Sequence, residues 1–211
     1  MKKKAYIQLV LAMIIWGTLG PLVKQIPLAS GEIVLARVIL GFVTLAVIYF
    51  VSGEYRTGGI TDRAAARRDI AILFISGAVM GFNWVFLFEA YKYTTVSMAT
   101  VSYYCAPVII TVLSPLVLGE KLTAARIAGI AAAMAGMFMI TGSLSGGSQP
   151  LKGVLFGLLA ALFYACVTIL NKQLKGGFTG IQITIVQLFA AGIVVTPYAV
   201  INHEGSWVMP Q

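Results

Sequence analysis

Seven long apolar stretches dominate this sequence, and they restrict its fold more than any other feature. Each has about 20 mostly uncharged residues, the length that an α-helix needs to cross the hydrocarbon core of a bilayer. The runs are too long for strands and do not alternate with a period of two, which disfavours spanning strands. We therefore predict an all-α integral membrane protein with seven transmembrane helices, at residues 5–23, 32–51, 70–90, 96–118, 123–141, 153–172 and 181–200.

The composition supports a chain whose solvent is lipid. Hydrophobic residues make up 59% of the 211 positions, charged residues only 10%, and the mean hydropathy is +0.93. A soluble domain carries roughly a quarter charged residues, so the lipid bilayer is the expected partner. Cys105 and Cys166 both lie inside apolar stretches. They suggest neither a disulfide framework nor a metal site, and packing is the simplest interpretation of both.

The net charge of +8 does not indicate nucleic acid, because the basic residues cluster between the stretches, where they set membrane orientation. With a cytoplasmic N-terminus, only four basic residues fall on or near the outer side, namely Lys24, Arg37, Lys92 and Lys152. The inner side then holds Lys2, Lys3, Lys4, Arg56, Arg63, Arg67, Arg68, Lys121, Arg126, Lys172 and Lys175. We predict a multi-pass protein of the inner or plasma membrane with its N-terminus in the cytoplasm.

A weak internal similarity relates the sixth stretch to the first. Residues 12–24 read "AMIIWGTLGPLVK" and residues 160–172 read "AALFYACVTILNK", which aligns Trp16 with Tyr164 and ends both segments on lysine. Five stretches precede the copy, and because five is odd, the copy must enter the membrane from the opposite face. This is an inverted-topology repeat, a common plan of secondary transporters.

The similarity divides the chain into two units. Residues 1–141 form the first unit of five stretches, and the Gly/Ser-rich residues 142–152 form a flexible linker. Residues 153–211 form an incomplete second unit, with two stretches and a tail.

Residues 90–140, "AYKYTTVSMATVSYYCAPVIITVLSPLVLGEKLTAARIAGIAAAMAGMFMI", carry a family resemblance. The A-x-x-Y-T pattern, the proline of the fourth stretch, the L-G-E-K-L-T turn and the Gly/Ala-rich fifth stretch resemble EamA-type carriers of the drug/metabolite transporter (DMT) superfamily. The resemblance implies ten spans in two inverted five-helix repeats. About three spans and a second L-G-E-like turn are then missing after the seventh stretch. We expect either a fragment or an assembly that differs from the family.

A polar stripe on the fourth stretch supplies candidate cavity residues. Thr100, Tyr104, Pro107, Thr111 and Ser114 are spaced by four and three residues, which places them on one helical face. A polar face in a membrane must meet protein or water, so the stripe is either a cavity wall or a helix contact. The Tyr104 ring near mid-span favours the cavity, and Pro107 predicts a kink.

Polar or aromatic residues at similar depth in four other stretches extend the candidate cavity. The interpretation as a substrate-binding cavity and the interpretation as interhelical packing both stay open for these residues. They are Trp16 in the first stretch, Asn83 in the third, Tyr164 and Thr168 in the sixth, and Gln187 in the seventh.

Two charged residues lie inside stretches near the outer side. Arg37 and Glu89 are at similar depth, and charged groups in a span usually pair or line a cavity, so we consider an ion pair between them. Alternatively, Glu89 faces outer water, or it serves as a proton site. Tyr91, Lys92 and Tyr93 follow in a short turn and are interpreted as interfacial anchors.

The sequence therefore favours a secondary transporter, more readily an exporter, for small organic metabolites or amphiphiles of zwitterionic or neutral character. It contains no nucleophile–base constellation and no phosphate-binding glycine loop, so we expect no enzymatic activity, cofactor or metal. The alternative is a non-transporting subunit or scaffold that needs a partner. A homodimer, the substrate, the direction of transport and the coupling ion are left open.

Overall fold

The computed structural model describes residues 2–53, 63–119, 122–142 and 151–202. Within these ranges all regular secondary structure is helical, and every apolar stretch contains a helix. The eight helices are α1 (Lys2–Gln25), α2 (Ser30–Val51), α3 (Arg63–Tyr93), α4 (Val96–Tyr103), α5 (Ala106–Leu118), α6 (Ala124–Gly142), α7 (Leu151–Asn171) and α8 (Gly180–Ile201). The prediction of an all-α membrane protein is confirmed. The predicted linker at 142–152 lies mostly outside the described residues.

Among the described residues, five helical segments are long and apolar enough to cross a membrane. They are Ser30–Val51, Ala65–Tyr93, Val96–Leu118, Leu151–Asn171 and Gly180–Ile201. The first and fifth predicted stretches hold shorter apolar segments, at Leu9–Gln25 and Ala124–Gly136.

The fourth stretch is interrupted between α4 and α5. Tyr104 and Cys105 leave the regular helix, and Pro107 is the second residue of the helix that follows. Proline has no N–H to donate and is tolerated in the first turn of a helix, so the break falls where the ring costs least. The structure thus has the interruption that Pro107 predicts.

Local capping explains where several helices begin and end. The Thr95 hydroxyl accepts a hydrogen bond from the Met98 amide at 3.2 Å and starts α4 directly after α3. Thr179 and Gln182 form a reciprocal capping box at the start of α8. Gly119 ends α5 with φ of 66°, a left-handed conformation that glycine adopts without a steric penalty.

Glycines allow α3, α4, α7 and α8 to pack closely. A Cβ atom on Gly77 would lie 2.5 Å from the Gln187 carbonyl oxygen, and one on Gly157 would lie 2.7 Å from the Ser102 side chain. Each position therefore requires glycine for the observed helix separation. Small residues at such contacts let helix backbones approach within a membrane.

Contacts at the two ends of the bundle fix the helix directions. Tyr93 of α3 stacks on Phe156, near the start of α7, while Asp69, near the start of α3, contacts Gly176 just after α7. The α3 and α7 helices are therefore antiparallel. At the C-terminal end of α1, the Lys24 ammonium bonds the Thr94 carbonyl, 3.3 Å away, so α1 ends where α3 ends.

These contacts show that α1 and α7 run in opposite directions. Inverted repeats require this arrangement, while the repeat relationship between the two predicted units stays a prediction. We call the two ends of the bundle the Tyr93 end and the Asp69 end.

Candidate functional site

A row of buried polar residues on α3 joins the two predicted units. Asp69, Ser76 and Asn83 are seven residues apart, which places them on one face of the helix. Each side chain is at most 1% exposed. All three hydrogen bond to α7, α8 or the loop between them. We call this set the α3 polar row.

Asn83 makes an interhelical contact near the middle of the bundle. Its side-chain amide donates to the Ala160 carbonyl of α7 at 2.5 Å. The same side chain interacts with the Tyr103 hydroxyl, and the Tyr103 ring meets the Tyr164 ring edge-on at 5.6 Å. Of the two interpretations of Asn83, the structure provides direct evidence for hydrogen bonding between helices.

Gln187 is the centre of a second buried contact. Its amide nitrogen donates to the Ser76 hydroxyl at 2.6 Å and to the Asn171 side-chain oxygen at 2.7 Å. The group thereby links α3, α7 and α8. Buried polar groups are stable in an apolar interior when they are hydrogen-bonded in this way, so Gln187 has a packing role in this arrangement.

Asp69 holds the loop between α7 and α8. One carboxylate oxygen accepts hydrogen bonds from the backbone amides of Lys175, at 2.7 Å, and Gly176. The sequence pattern began the third stretch at residue 70, whereas α3 begins at Arg63 and includes Asp69 as a buried residue. The sequence offered one indication of this contact, because Asp69 directly precedes the predicted start of the third stretch.

Arg37 and Glu89 have different neighbours in the structure. The Arg37 guanidinium lies 4.5 Å from the Trp84 ring centroid, in cation–π geometry. The Glu89 carboxylate lies 3.3 Å from the Lys92 ammonium. The ion-pair partner observed for Glu89 is thus Lys92 and not Arg37.

The candidates Tyr104, Pro107 and Thr111 of the fourth stretch lie around and after its break, and their role as cavity residues stays a prediction. Tyr104 is 55% exposed and Pro107 is exposed, both at the break in the stretch. The Thr111 hydroxyl bonds back to the Pro107 carbonyl at 2.9 Å. Thr111 also borders a shallow cavity of about 360 Å³ that includes Lys172.

Two candidates lie on α7 and one on α1. Tyr164 is partly exposed and contacts Tyr103, and the Thr168 hydroxyl bonds to the Tyr164 carbonyl within the same helix. Trp16 lies in α1, but its side chain falls outside the described part of the structure.

A larger cavity, of about 840 Å³, opens at the Tyr93 end. The loop between α1 and α2, the start of α2, the end of α3, the N-terminal half of α7 and the end of α8 form its walls, so both predicted units contribute. We call it the mouth cavity. Its charged residues are Glu32, Glu89 and Lys92, and its aromatic residues are Phe86, Tyr93, Phe156 and Tyr198.

Three of these rings form a continuous aromatic wall. Phe156 stacks on Phe86 with centroids 6.1 Å apart and on Tyr93 with centroids 5.6 Å apart. The Lys152 ammonium lies 3.9 Å from the Tyr93 ring centroid. Sequence reasoning missed this site because its residues come from helix ends and a loop, which leave no periodic pattern.

Within the described parts of the chain, no three His, Cys, Asp or Glu side chains gather at a metal-binding distance.

A bundle of apolar helices with a solute-sized cavity fits a membrane protein that binds a small molecule between its helices. The sequence matches the EamA-like transporter family over residues 3–142, more than half of the chain. The chain therefore belongs to the EamA-like transporter family and is a multi-pass membrane protein.

Several relatives have been recorded as transporters. The chain is 29% identical to the uncharacterized transporter YxxF of Bacillus subtilis (strain 168), over 99% of this chain and 68% of that protein. It is 26% identical to an uncharacterized transporter of Archaeoglobus fulgidus, over 95% and 68% of the two chains. It is also 26% identical to the uncharacterized transporter YojE of Bacillus subtilis (strain 168), over 76% of this chain and 54% of that protein. No solved structure matches the chain significantly.

Proposed function

We propose that the chain acts as a secondary transporter for a small organic metabolite or amphiphile. The observation that carries the proposal is the mouth cavity, whose walls combine α2 and α3 of the first unit with α7 and α8 of the second. Its volume of about 840 Å³ falls within the range of small-molecule sites. A solute bound there contacts both units, so movement of one unit against the other changes its exposure.

Alternating access would follow from rocking of the two units, as in other carriers built from inverted repeats. In this proposal the α3 polar row keeps the units in register while the helix ends around the mouth cavity separate or close. With a cytoplasmic N-terminus, the Tyr93 end faces outward and the mouth cavity is the external opening. The direction we favour is export.

The lining of the mouth cavity supports a particular range of solutes. Aromatic rings provide apolar contact, while Glu32, Glu89 and Lys92 provide both signs of charge. A polyanion would meet two carboxylates and one ammonium, which is unfavourable. Zwitterionic, neutral or weakly cationic solutes fit this lining better.

A flux assay on the purified chain in lipid vesicles tests the proposal. A library of small metabolites and amphiphiles is loaded, and efflux is compared with that of empty vesicles. Tyr93→Ala removes a ring from the mouth cavity, and Phe50→Ala removes an exposed ring at the C-terminal end of α2 as a matched control. We expect selective flux that Tyr93→Ala lowers and Phe50→Ala leaves unchanged. Absence of flux for the whole library would favour the scaffold alternative.

A further inference from the structure

Two carboxylates from different helices share the mouth cavity. Glu32 lies in the first turn of α2, where its carboxylate accepts a hydrogen bond from the Ala29 amide at 3.0 Å. Glu89 lies in the last turns of α3, with its side chain 17% exposed. Acidic residues alone do not identify a ligand, so three further observations are needed.

The first observation is that an ammonium group already lies against the aromatic wall. The Lys152 nitrogen is 3.9 Å from the centroid of the Tyr93 ring, and Tyr93 is part of the cavity lining. Aromatic faces attract cations through the ring quadrupole, and this attraction strengthens as water is excluded. The wall therefore has the geometry that recognises an organic ammonium.

The second observation is that another ammonium group lies on a cavity carboxylate. The Lys92 nitrogen is 3.3 Å from a Glu89 oxygen, and the Lys92 side chain is 44% exposed. The ammonium end of this pair is open to solvent, where an ion pair contributes little stability. A ligand ammonium can thus replace Lys92 on Glu89 at small cost.

The third observation is a buried hydroxyl without a partner in the cavity wall. Ser30 is 1% exposed, lines the mouth cavity, and its hydroxyl makes no hydrogen bond within the described structure. Burial of an unsatisfied hydroxyl is unfavourable. A polar group on a bound solute would remove that penalty.

We propose that the mouth cavity binds small organic ammonium compounds that carry an aromatic or aliphatic body. The ammonium takes the place of Lys92 on Glu89 and of Lys152 on the face of Tyr93, four residues further along α3, and the apolar body packs against Phe86 and Phe156. The two lysines are internal competitors for the positions that the ligand ammonium takes. The inference rests on the proposed function in one respect, since it names the solute class that would enter through this opening.

Equilibrium binding to the chain in lipid nanodiscs tests this assignment. The probes are 2-phenylethylamine, 2-phenylethanol and phenylacetate, which have similar bodies and differ in charge. We expect the amine to bind more tightly than the other two. Glu89→Gln should weaken amine binding about tenfold, while Lys92→Gln and Lys152→Gln should each strengthen it about two- to fivefold.

Controls separate a specific effect from loss of folding. Lys175→Gln removes an exposed lysine at the Asp69 end and should leave amine binding unchanged. Glu89→Asp retains the charge and should restore most of the affinity lost in Glu89→Gln. Equal binding of the three probes, or an unchanged amine affinity in Glu89→Gln, would overturn the proposal. So would weaker binding in both cavity-lysine variants.

The binding measurement is independent of transport. Selective amine binding without flux supports the site and removes the carrier assignment. Flux of other solutes without selective amine binding removes the site and leaves the carrier assignment in place.

Discussion

The side chain of Asn83 on α3 donates a hydrogen bond of 2.5 Å to the backbone carbonyl of Ala160 on α7. This bond connects the two predicted units near the middle of the bundle, at a depth where water would not replace it. Both groups are buried. Its loss would remove a hydrogen bond between helices in an apolar environment.

Asn83→Ala should destabilise the bundle by about 0.5–2 kcal/mol, because interhelical hydrogen bonds in membranes are of this modest size. Reversible unfolding in mixed detergent measures the change. Thr168→Val is the matched control, since the Thr168 hydroxyl bonds only to Tyr164 within its own helix. Equal destabilisation by both variants would show that the hydrogen bond between the units contributes no more to stability than a hydrogen bond within one helix.

Gly77→Ala should be more damaging than the same change at Gly129. A Cβ atom at position 77 would lie 2.5 Å from the Gln187 backbone, whereas one at position 129 has nothing within 4 Å. We expect Gly77→Ala to lower the free energy of unfolding by about 1–3 kcal/mol, because the added methyl group overpacks the helix contact. Gly129→Ala should be neutral or stabilising by up to about 1 kcal/mol, because alanine favours helix. Unfolding midpoints of the two variants provide the comparison, and similar midpoints would contradict the close contact of α3 with α8.

Asp69→Ala should release the loop between α7 and α8. The variant loses the acceptor of the Lys175 and Gly176 amides. Hydrogen exchange at these amides should therefore accelerate at least about tenfold, which corresponds to a decrease of ~1.4 kcal/mol in the free energy of local opening. Asp69→Asn keeps one acceptor oxygen and should show a smaller effect. Arg68→Ala changes the exposed neighbouring residue and serves as the control. Unchanged exchange in Asp69→Ala would contradict the role of Asp69 in holding the loop between α7 and α8.

Much of the fold could be predicted from the sequence because a bilayer imposes a length and a composition on every crossing helix. The apolar runs located the helices, and Pro107 indicated the break in the fourth stretch. The identity of the family followed from the turn at 118–123 and its surroundings. These features are local, so they can be recognised in the sequence without knowledge of helix packing.

The site was harder to predict because it depends on helix rotation. Trp84 and Glu89 are five residues apart on α3, which separates them by roughly 140° around the helix. Arg37 lies against Trp84, so it is turned away from Glu89 even though both residues had been placed at similar depth. Depth can be read from a sequence, whereas the facing direction requires the neighbouring helices.

The mouth cavity shows the same limit for loops and helix ends. Lys92 and Tyr93 were interpreted as interfacial anchors, and the structure places both in a cavity wall beside Phe156 and Tyr198. The wall is assembled from segments far apart in the chain, so no spacing rule could have linked them.

The most direct test of the account is the membrane sidedness of α1 and α7. Lys24→Cys and Lys172→Cys are introduced one at a time after replacement of Cys105 and Cys166 by alanine, and intact cells are treated with an impermeant thiol reagent. The account predicts labelling of position 24 from outside, and of position 172 only after the membrane is opened. Labelling of both positions from the same side would contradict opposed units and the alternating-access mechanism built on them.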